Sequence, residues 1–318
     1  MPGARYLEES RQLYKDYIRP MIKDKYTAYA GRIAAGLTGE GSECFGFDDG
    51  ISRDHDLAPG LCLWLSEETF AEIGADLQKD YEEQVNAFTD ALPYEERIAA
   101  KKAFSGMARR RGVFEIFSFY EGILHFELKR QAPYLTEADK LSINEAFLAA
   151  AVNGEVFADE EGLFTDIRKS LASYGGREFE LRLKGALHDF SQSGQYNYAR
   201  MMARGELTAA RICIYRACES MMRLAYILSR RRAPFYKWMR RGIDELDRVK
   251  ELSPISDKLI QASPDPEAWK TFDYRSGQIN TADKAVQLIE EAAMLILNEL
   301  REQGITDGKD TFLDIYAR

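Results

Sequence analysis

The long apolar segment at residues 208–229 constrains the fold more than any other part of the chain. Its residues are apolar around most of the helical circumference, and four charged residues interrupt the pattern: Arg211, Arg216, Glu219 and Arg223. A helix that is apolar nearly all round is usually surrounded by other helices. We therefore predict that the C-terminal part of the chain is a helical bundle with this segment near its centre.

Strand patterns are confined to the first half of the chain. Short runs rich in apolar, β-branched or aromatic residues predict strands at residues 33–38, 61–65, 113–119 and 155–159, with amphipathic helices between them. From about residue 178 onward we predict helices only, at 181–191, 196–202, 208–229, 234–246 and 282–303, with a proline-punctuated connection at 254–266. The fold class is therefore α+β, with a mixed α+β domain at residues 1–176 and an all-α bundle at 177–318.

The charge balance restricts the partners of the chain. The net charge of −9 over 318 residues disfavours binding to long nucleic acids, which requires a basic face. Basic clusters occur at residues 109–111, 230–232 and 240–241, and such runs usually form solvated faces. Long nucleic acid is therefore an improbable partner.

Cysteine usage and the apolar runs point to the cytoplasm. The four cysteines, Cys44, Cys62, Cys213 and Cys218, form no CxxC pair, which predicts buried free thiols in a reducing compartment. The N-terminus lacks the apolar core of a signal peptide, and no uncharged apolar run reaches about 18 residues. We expect a cytoplasmic protein without a membrane partner.

One stretch carries a pattern suited to metal-assisted chemistry. Gly41 and Ser42 form a glycine-rich turn, and Asp54 and Asp56 follow just before the apolar run at 61–65. Residues two apart on a strand point to the same face, so these two carboxylates would repel each other unless a cation lay between them. Mg²⁺ takes one or two carboxylates and completes its shell with substrate phosphates, and a Gly-Ser turn can offer N–H groups to a phosphate.

This stretch resembles the signature of the DNA polymerase β-like nucleotidyltransferase superfamily: a Gly-Ser turn, a spacer of eleven residues here, and an acidic pair one residue apart. Residues 36–56, 153–171, 193–206 and 233–241 also resemble segments of a bacterial family of unknown function with a nucleotidyltransferase core. The chain is in this respect similar to kanamycin and lincosamide nucleotidyltransferases. The resemblance implies a small mixed sheet with helices, followed by a helical bundle.

The resemblance also implies roles for individual residues. Gly41 and Ser42 would contact the triphosphate of a nucleotide such as ATP, and Asp54 and Asp56 would bind Mg²⁺. The superfamily usually adds a third carboxylate, for which Glu115 is the first candidate and Asp159, in a turn-like context, the second; it could also be absent. The implied reaction transfers a nucleoside monophosphate to a hydroxyl of a small molecule or a protein, with release of pyrophosphate.

Four polar residues of the bundle are further candidates for nucleotide binding. Gln195, Asn197 and Arg200 cluster near one helix start, and Lys237 lies between two aromatic residues. They could hydrogen-bond a base or clamp a phosphate. Packing between domains, or ordinary surface chemistry for the lysine, would explain them equally well.

Two other functions remain open. A nucleotide-binding regulator would keep the fold with little catalysis, and a missing third carboxylate would favour it. An antitoxin-like partner-binding protein is the second alternative, since nucleotidyltransferase folds also serve that purpose.

Overall fold

The computed structural model describes residues 5–49, 59–98, 110–132, 134–275 and 278–318. It is a mixed α+β protein with a four-stranded sheet and many helices. This agrees with the α+β class that the strand and helix patterns of the sequence predict. The chain divides into two compact units, Met1–Ser173 and Tyr174–Arg318.

The first unit contains the sheet, whose strands lie in the order β3-β2-β1-β4. Their bounds are Ala34–Leu37 (β1), Cys62–Leu65 (β2), Gly112–Glu115 (β3) and Glu155–Ala158 (β4). β1 pairs antiparallel with β2 and with β4, whereas β2 and β3 are parallel. All residues of β1 and β2 are buried, as expected for central strands covered on both faces.

Among the described residues of the first unit, the helices that accompany this sheet include Arg5–Leu13 (α1), Arg19–Lys25 (α2), Glu67–Ala91 (α3), Ile116–Leu124 (α4), Glu137–Ser142 (α5), Glu145–Val152 (α6) and Leu163–Ala172 (α7). A π-helical turn, Tyr14–Ile18, joins α1 to α2. The N-cap of α3 is Ser66, whose hydroxyl accepts a hydrogen bond from the backbone N–H of Thr69. The sequence run 66–69, a cap candidate followed by acidic residues, predicts a helix start here, and the cap confirms it.

The strand predicted at residues 113–119 is correct only in its first part. β3 ends at Glu115, and the chain turns at once into α4. Apolar and aromatic composition suits a buried helix as well as a buried strand, so composition alone does not locate this boundary. The boundary is set by the Glu115 carboxylate, which caps the helix.

The second unit is all-helical over its described residues. Its helices are Gly176–Phe190 (α8), Tyr198–Ala203 (α9), Leu207–Leu228 (α10), Tyr236–Ile243 (α11), Leu252–Gln261 (α12), Pro266–Lys270 (α13) and Lys284–Glu302 (α14). A π-helical segment, Ser191–Asn197, joins α8 to α9. α10 packs against α8, α9, α11, α12 and α14, so the prediction of a central helix is confirmed.

One connection predicted from prolines contains a helix instead. α12 includes Pro254 in its first turn, where a missing backbone N–H costs nothing because that group has no intrahelical acceptor. Pro266 likewise opens the short helix α13. Pro254 and Pro266 therefore lie at helix starts, whereas Pro264 lies in the link between α12 and α13.

The prediction that the basic clusters form solvated faces is wrong for two arginines. The side chains of Arg111 and Arg232 are only 9% and 1% exposed, because each pairs with a buried glutamate.

All four cysteines are free, and Cys213 is the one that is only partly buried. Among the described residues, no helix combines the length and the apolarity that crossing a bilayer requires.

Candidate functional site

The predicted Gly-Ser turn follows β1 in the first unit. Gly41 precedes a short 3₁₀ turn, Ser42–Phe45, which ends at Gly46 in the left-handed conformation. The backbone N–H groups of Glu40 and Gly41 donate to no residue of the described ranges. These two amides are therefore free to bind an anion.

Asn153 holds the beginning of this turn. Its side-chain oxygen accepts a hydrogen bond from the Gly39 N–H (3.0 Å), and its side-chain amide donates to the Gly39 carbonyl (2.6 Å). The Thr38 hydroxyl donates to the same side-chain oxygen (2.9 Å) and to the Asn153 carbonyl (2.8 Å). Asn153 is therefore the residue that holds the glycine turn to the end of α6.

A buried ion pair fixes the other end of the turn. Glu43 accepts a hydrogen bond from the Arg111 guanidinium, and the two side chains are 7% and 9% exposed. Burial alone would lower the pKa of Arg111, but the neighbouring Cys44 and Glu43 raise it above its ordinary value. Arg111 therefore stays charged, and it links the turn after β1 to the residue that precedes β3.

The glycine turn and the residues around β3 line one pocket of about 540 Å³. Its polar lining includes Arg110, Arg111, Ser118 and His125, and its apolar wall includes Phe114, Phe119 and Ile123. The volume lies within the range usual for small-molecule sites, roughly 300–1,000 Å³. A lining that combines backbone amides and guanidinium groups with aromatic side chains suits an anionic ligand that carries an apolar or aromatic portion.

The predicted metal ligands Asp54 and Asp56 lie outside the described residues. Within the described part of the chain, no group of three His, Cys, Asp or Glu side chains could hold a metal ion. What the structure does place is the chain on either side of the acidic pair, namely the glycine turn before it and β2 after it.

Glu115 lies at the end of β3, beside Leu65 of β2. Its carboxylate accepts hydrogen bonds from the backbone N–H groups of Phe117 (2.9 Å) and Ser118 (2.7 Å) and from the Ser118 hydroxyl (2.7 Å). Both of its oxygens thus cap α4. Glu115 also lies at the C-terminal end of β2, whereas the predicted acidic pair precedes the N-terminal end of that strand.

The second candidate for a third carboxylate, Asp159, follows β4 directly. Its carboxylate accepts hydrogen bonds from the backbone N–H groups of Gly162 (3.0 Å) and Thr165 (2.7 Å). It orders the turn that leads into α7. Each candidate acid is therefore bound to backbone amides at the start of a helix.

In the second unit, the structure separates the predicted binding residues. Gln195 donates to the Thr311 carbonyl (2.8 Å) and to Glu290 (3.1 Å), and it accepts from the Leu313 N–H (3.0 Å). It therefore anchors the last segment of the chain, next to a pocket of about 230 Å³. Asn197 lines a different cavity, a groove of about 600 Å³ beside α10.

The other two predicted residues pack on aromatic rings. The guanidinium carbon of Arg200 lies 4.7 Å from the centroid of the Tyr196 ring. The Lys237 ammonium lies 5.4 Å from the centroid of the Trp238 ring. Both contacts have ordinary cation–π geometry. Neither Arg200 nor Lys237 lines the groove of about 600 Å³ or the pocket of about 230 Å³.

Several residues of the first pocket were missed from sequence. His125, in the left-handed conformation at the end of α4, and Ser118, one turn into that helix, carry no local motif. Arg110 and Arg111 were visible as a basic run, but only the tertiary structure brings them to the glycine turn. A charged residue directly before a strand is a weak signal by itself.

Comparison with known families gives one match. Residues 141–239 match the model of a family described as "Domain of unknown function (DUF4037)". The resemblance to a family of unknown function is therefore supported over this part of the chain. No curated protein and no solved structure matches the chain.

Proposed function

We propose that the first unit is a Mg²⁺-dependent nucleotidyltransferase, which transfers a nucleoside monophosphate from a nucleoside triphosphate to a hydroxyl group. The observation that carries this proposal is the shared pocket of about 540 Å³, into which the glycine turn and the arginines before β3 both face. The predicted acidic pair lies on the chain segment between that turn and β2.

The residues of the pocket suit the binding of a triphosphate. The amides of Glu40 and Gly41 are available as donors, and Asn153 holds the turn in one conformation before any ligand binds. Arg110 adds a positive charge at the same pocket. Pre-positioned donors act on developing charge without having to reorganise, which is the main protein contribution to phosphoryl transfer.

Asp54 and Asp56 would hold the metal, since carboxylate oxygens are the donors that Mg²⁺ prefers. The bound ion would neutralise charge on the triphosphate. The acceptor oxygen would form a bond to the α-phosphorus, the bond from that phosphorus to the β-phosphate oxygen would break, and pyrophosphate would leave. The acceptor proton would pass to a carboxylate, for which Glu115 stays a prediction.

A second candidate function is a nucleotide-binding regulator with little catalysis. The helix-capping role of Glu115 favours it, because a carboxylate that already accepts three hydrogen bonds is a poor base. An antitoxin-like partner-binding protein remains the third alternative from the sequence.

The decisive experiment combines binding with turnover. Calorimetry with ATP, GTP, CTP and UTP, with and without Mg²⁺, should detect Mg²⁺-dependent binding of at least one nucleotide; a protein that only binds partners would bind none. Pyrophosphate release in the presence of cell extract should then fall by at least about a hundredfold in the Asp54→Asn/Asp56→Asn variant, a loss typical of removed charge stabilisation.

The matched control is Asp273→Asn, which removes an exposed carboxylate of the second unit. It should leave pyrophosphate release unchanged. Equal release from wild type and from the double variant would exclude the catalytic proposal. Mg²⁺-dependent nucleotide binding without release would support the regulator instead.

A further inference from the structure

The second unit contains a groove of about 600 Å³ that takes no part in the proposed transfer reaction. One wall is the π-helical segment Ser191–Asn197, and the other is one face of α10. π-helical turns inside helices are rare and occur frequently at functional sites. Gly194 of this segment packs closely against α10. A Cβ added to Gly194 would lie only 3.0 Å from the Cβ of Ala217. Its neighbours Ser193 and Asn197 meanwhile line the groove.

Polar groups without protein partners converge on this groove. The Ser220 residue is only 8% exposed, yet its hydroxyl has no hydrogen-bond partner among the described residues. The half-buried amides of Gln192 and Asn197 also lack a partner in the ranges that the structure covers. These three side chains line one cavity with their hydrogen-bonding groups unused by the protein, so they are available to a polar ligand.

The charged groups of the groove are unevenly satisfied. Arg223 is paired with Glu219 at 2.8 Å on the same helix. Arg216 forms no ion pair or hydrogen bond within the described part of the chain, and Asp189 lines the groove with its carboxylate unpaired there. One guanidinium and one carboxylate, both on exposed residues, are therefore accessible to a ligand in the groove. A guanidinium binds phosphate well, and a carboxylate accepts hydrogen bonds from ribose hydroxyls.

Apolar side chains complete the lining. Met201, Ile212 and Ala209 give the groove surfaces against which a flat ring can pack. Side-chain amides such as those of Gln192 and Asn197 suit the donor and acceptor pattern of a base edge. The chemistry thus matches the three parts of a mononucleotide: a base, a ribose and a phosphate.

We propose that this groove binds a nucleoside monophosphate, with its base at Asn197 and Gln192 and its phosphate at Arg216. All the residues of the groove lie between positions 189 and 223, and so within the family match at 141–239. The pocket of the first unit lies outside that match. This site does not rest on the proposed transfer reaction, because neither Mg²⁺ nor the acidic pair takes part in it.

The first test is binding of AMP, GMP, CMP and UMP to the full chain by calorimetry in EDTA. At least one of them should bind, whereas inorganic phosphate and the parent nucleoside should each bind at least about tenfold more weakly, since each lacks part of the contacts. Arg216→Ala should weaken binding by about tenfold or more. Ser220→Ala should weaken it less.

The matched control is Arg211→Ala on the same helix. Arg211 is exposed, contacts Ser263 at 3.4 Å, and does not line the groove. Its replacement should leave binding unchanged. Equal weakening by Arg211→Ala and Arg216→Ala would overturn the proposal, as would the absence of binding for all four nucleotides at millimolar concentration.

A second readout needs no variant. Cys213 lines the groove and is the one partly exposed thiol of the four, so it should react first with iodoacetamide. A saturating nucleotide that binds the wild type should slow this alkylation several-fold, and a slowed rate would support the site. Unchanged alkylation in the presence of bound nucleotide would place the ligand elsewhere and overturn the proposal.

The Asp54→Asn/Asp56→Asn variant separates the two proposals. Nucleoside monophosphate binding in EDTA should persist in this variant, even though pyrophosphate release is lost. Retained binding without any transferase activity in the wild type would defeat the proposed function alone. Loss of binding in the variant, with the fold intact by circular dichroism, would overturn the groove as the site.

Discussion

The Arg111 guanidinium donates a hydrogen bond to Glu43 across the first unit, and this pair joins the residue before β3 to the turn after β1. The pair is almost fully enclosed. Removing one partner of a buried ion pair leaves an uncompensated charge, which is far more costly than losing an exposed pair.

Glu43→Gln and Arg111→Met should each lower the free energy of unfolding of the first unit by about 3 kcal/mol. The double variant should cost clearly less than the sum, because neither charge is then left alone. Urea-dependent hydrogen exchange of the β1 and β2 amides measures the free energy of unfolding of the single variants and of the double variant. The exposed pair Lys270–Glu267 serves as control, and its removal should have no measurable effect. Additive losses in the buried pair would contradict the expected coupling.

Gly41→Ala should destabilise the turn through Glu43. A Cβ at position 41 would overlap the Glu43 carboxylate, which would have to shift and so disturb its pairing with Arg111. We expect a loss of about 2–3 kcal/mol in the same exchange experiment, together with weaker nucleotide binding. Gly122→Ala is the control in the same pocket. It meets nothing within 4 Å and should be neutral or stabilise by up to about 1 kcal/mol.

Glu178 should make the second unit sensitive to acid. Burial alone would raise the pKa of Glu178, but hydrogen bonds and charge from Arg232 and Arg182 lower it below its ordinary value of 4.5. A lowered pKa means stability that is complete above pH 4.5 and is lost as the pH falls through the folded-state value. Thermal unfolding between pH 3 and 7 should show this loss.

In Glu178→Gln the same scan should be flatter below pH 4.5, and the stability at pH 7 should be lower by about 3–5 kcal/mol, since the buried Arg232 and the partly buried Arg182 each lose a charged contact. Glu180→Gln on the same helix removes an exposed carboxylate that is paired with Lys184. It should change neither the slope nor the stability at pH 7. If stability fell with pH as steeply in Glu178→Gln as in the wild type, another group would carry the acid sensitivity.

Asp283 should be the main polar anchor at the start of α14. It is fully buried and accepts hydrogen bonds from the Tyr198 hydroxyl (2.8 Å), the Trp269 indole (2.7 Å) and the Ala285 N–H (2.7 Å). Asp283→Ala should destabilise the second unit by about 3 kcal/mol or more, since three hydrogen bonds to a charged group are lost. Urea unfolding followed by tryptophan fluorescence measures this. A cost below about 1 kcal/mol would mean that the anchor is dispensable.

The fold was predictable where local signals and burial agree. The Ser66 cap marked the start of α3, and the apolar circumference of residues 208–229 marked the central helix of the bundle. The strand predicted at 113–119 was wrong only in its second half, where the buried carboxylate of Glu115 caps a helix instead. Such a cap depends on the three-dimensional position of one side chain, which periodicity does not record.

The candidate sites were less predictable than the fold. The Gly-Ser turn was recognisable, but its supports, Asn153 and Arg111, lie more than sixty residues away in sequence. Similarly, Gln195 and Asn197 are neighbours in sequence, yet the π-helical segment directs them to different cavities. Residues two apart on a helix lie on nearly opposite faces, so proximity in sequence was a poor guide to a shared site.

The pairing of β4 with β1 has a practical consequence for work on this protein. β4 lies at the edge of the sheet, and its neighbour β1 is more than a hundred residues earlier in the chain. A fragment restricted to 141–239 would keep β4 and discard the strand that satisfies its backbone. The unpaired backbone amides and carbonyls of β4 would then promote self-association of the fragment. Assays should therefore use the intact polypeptide.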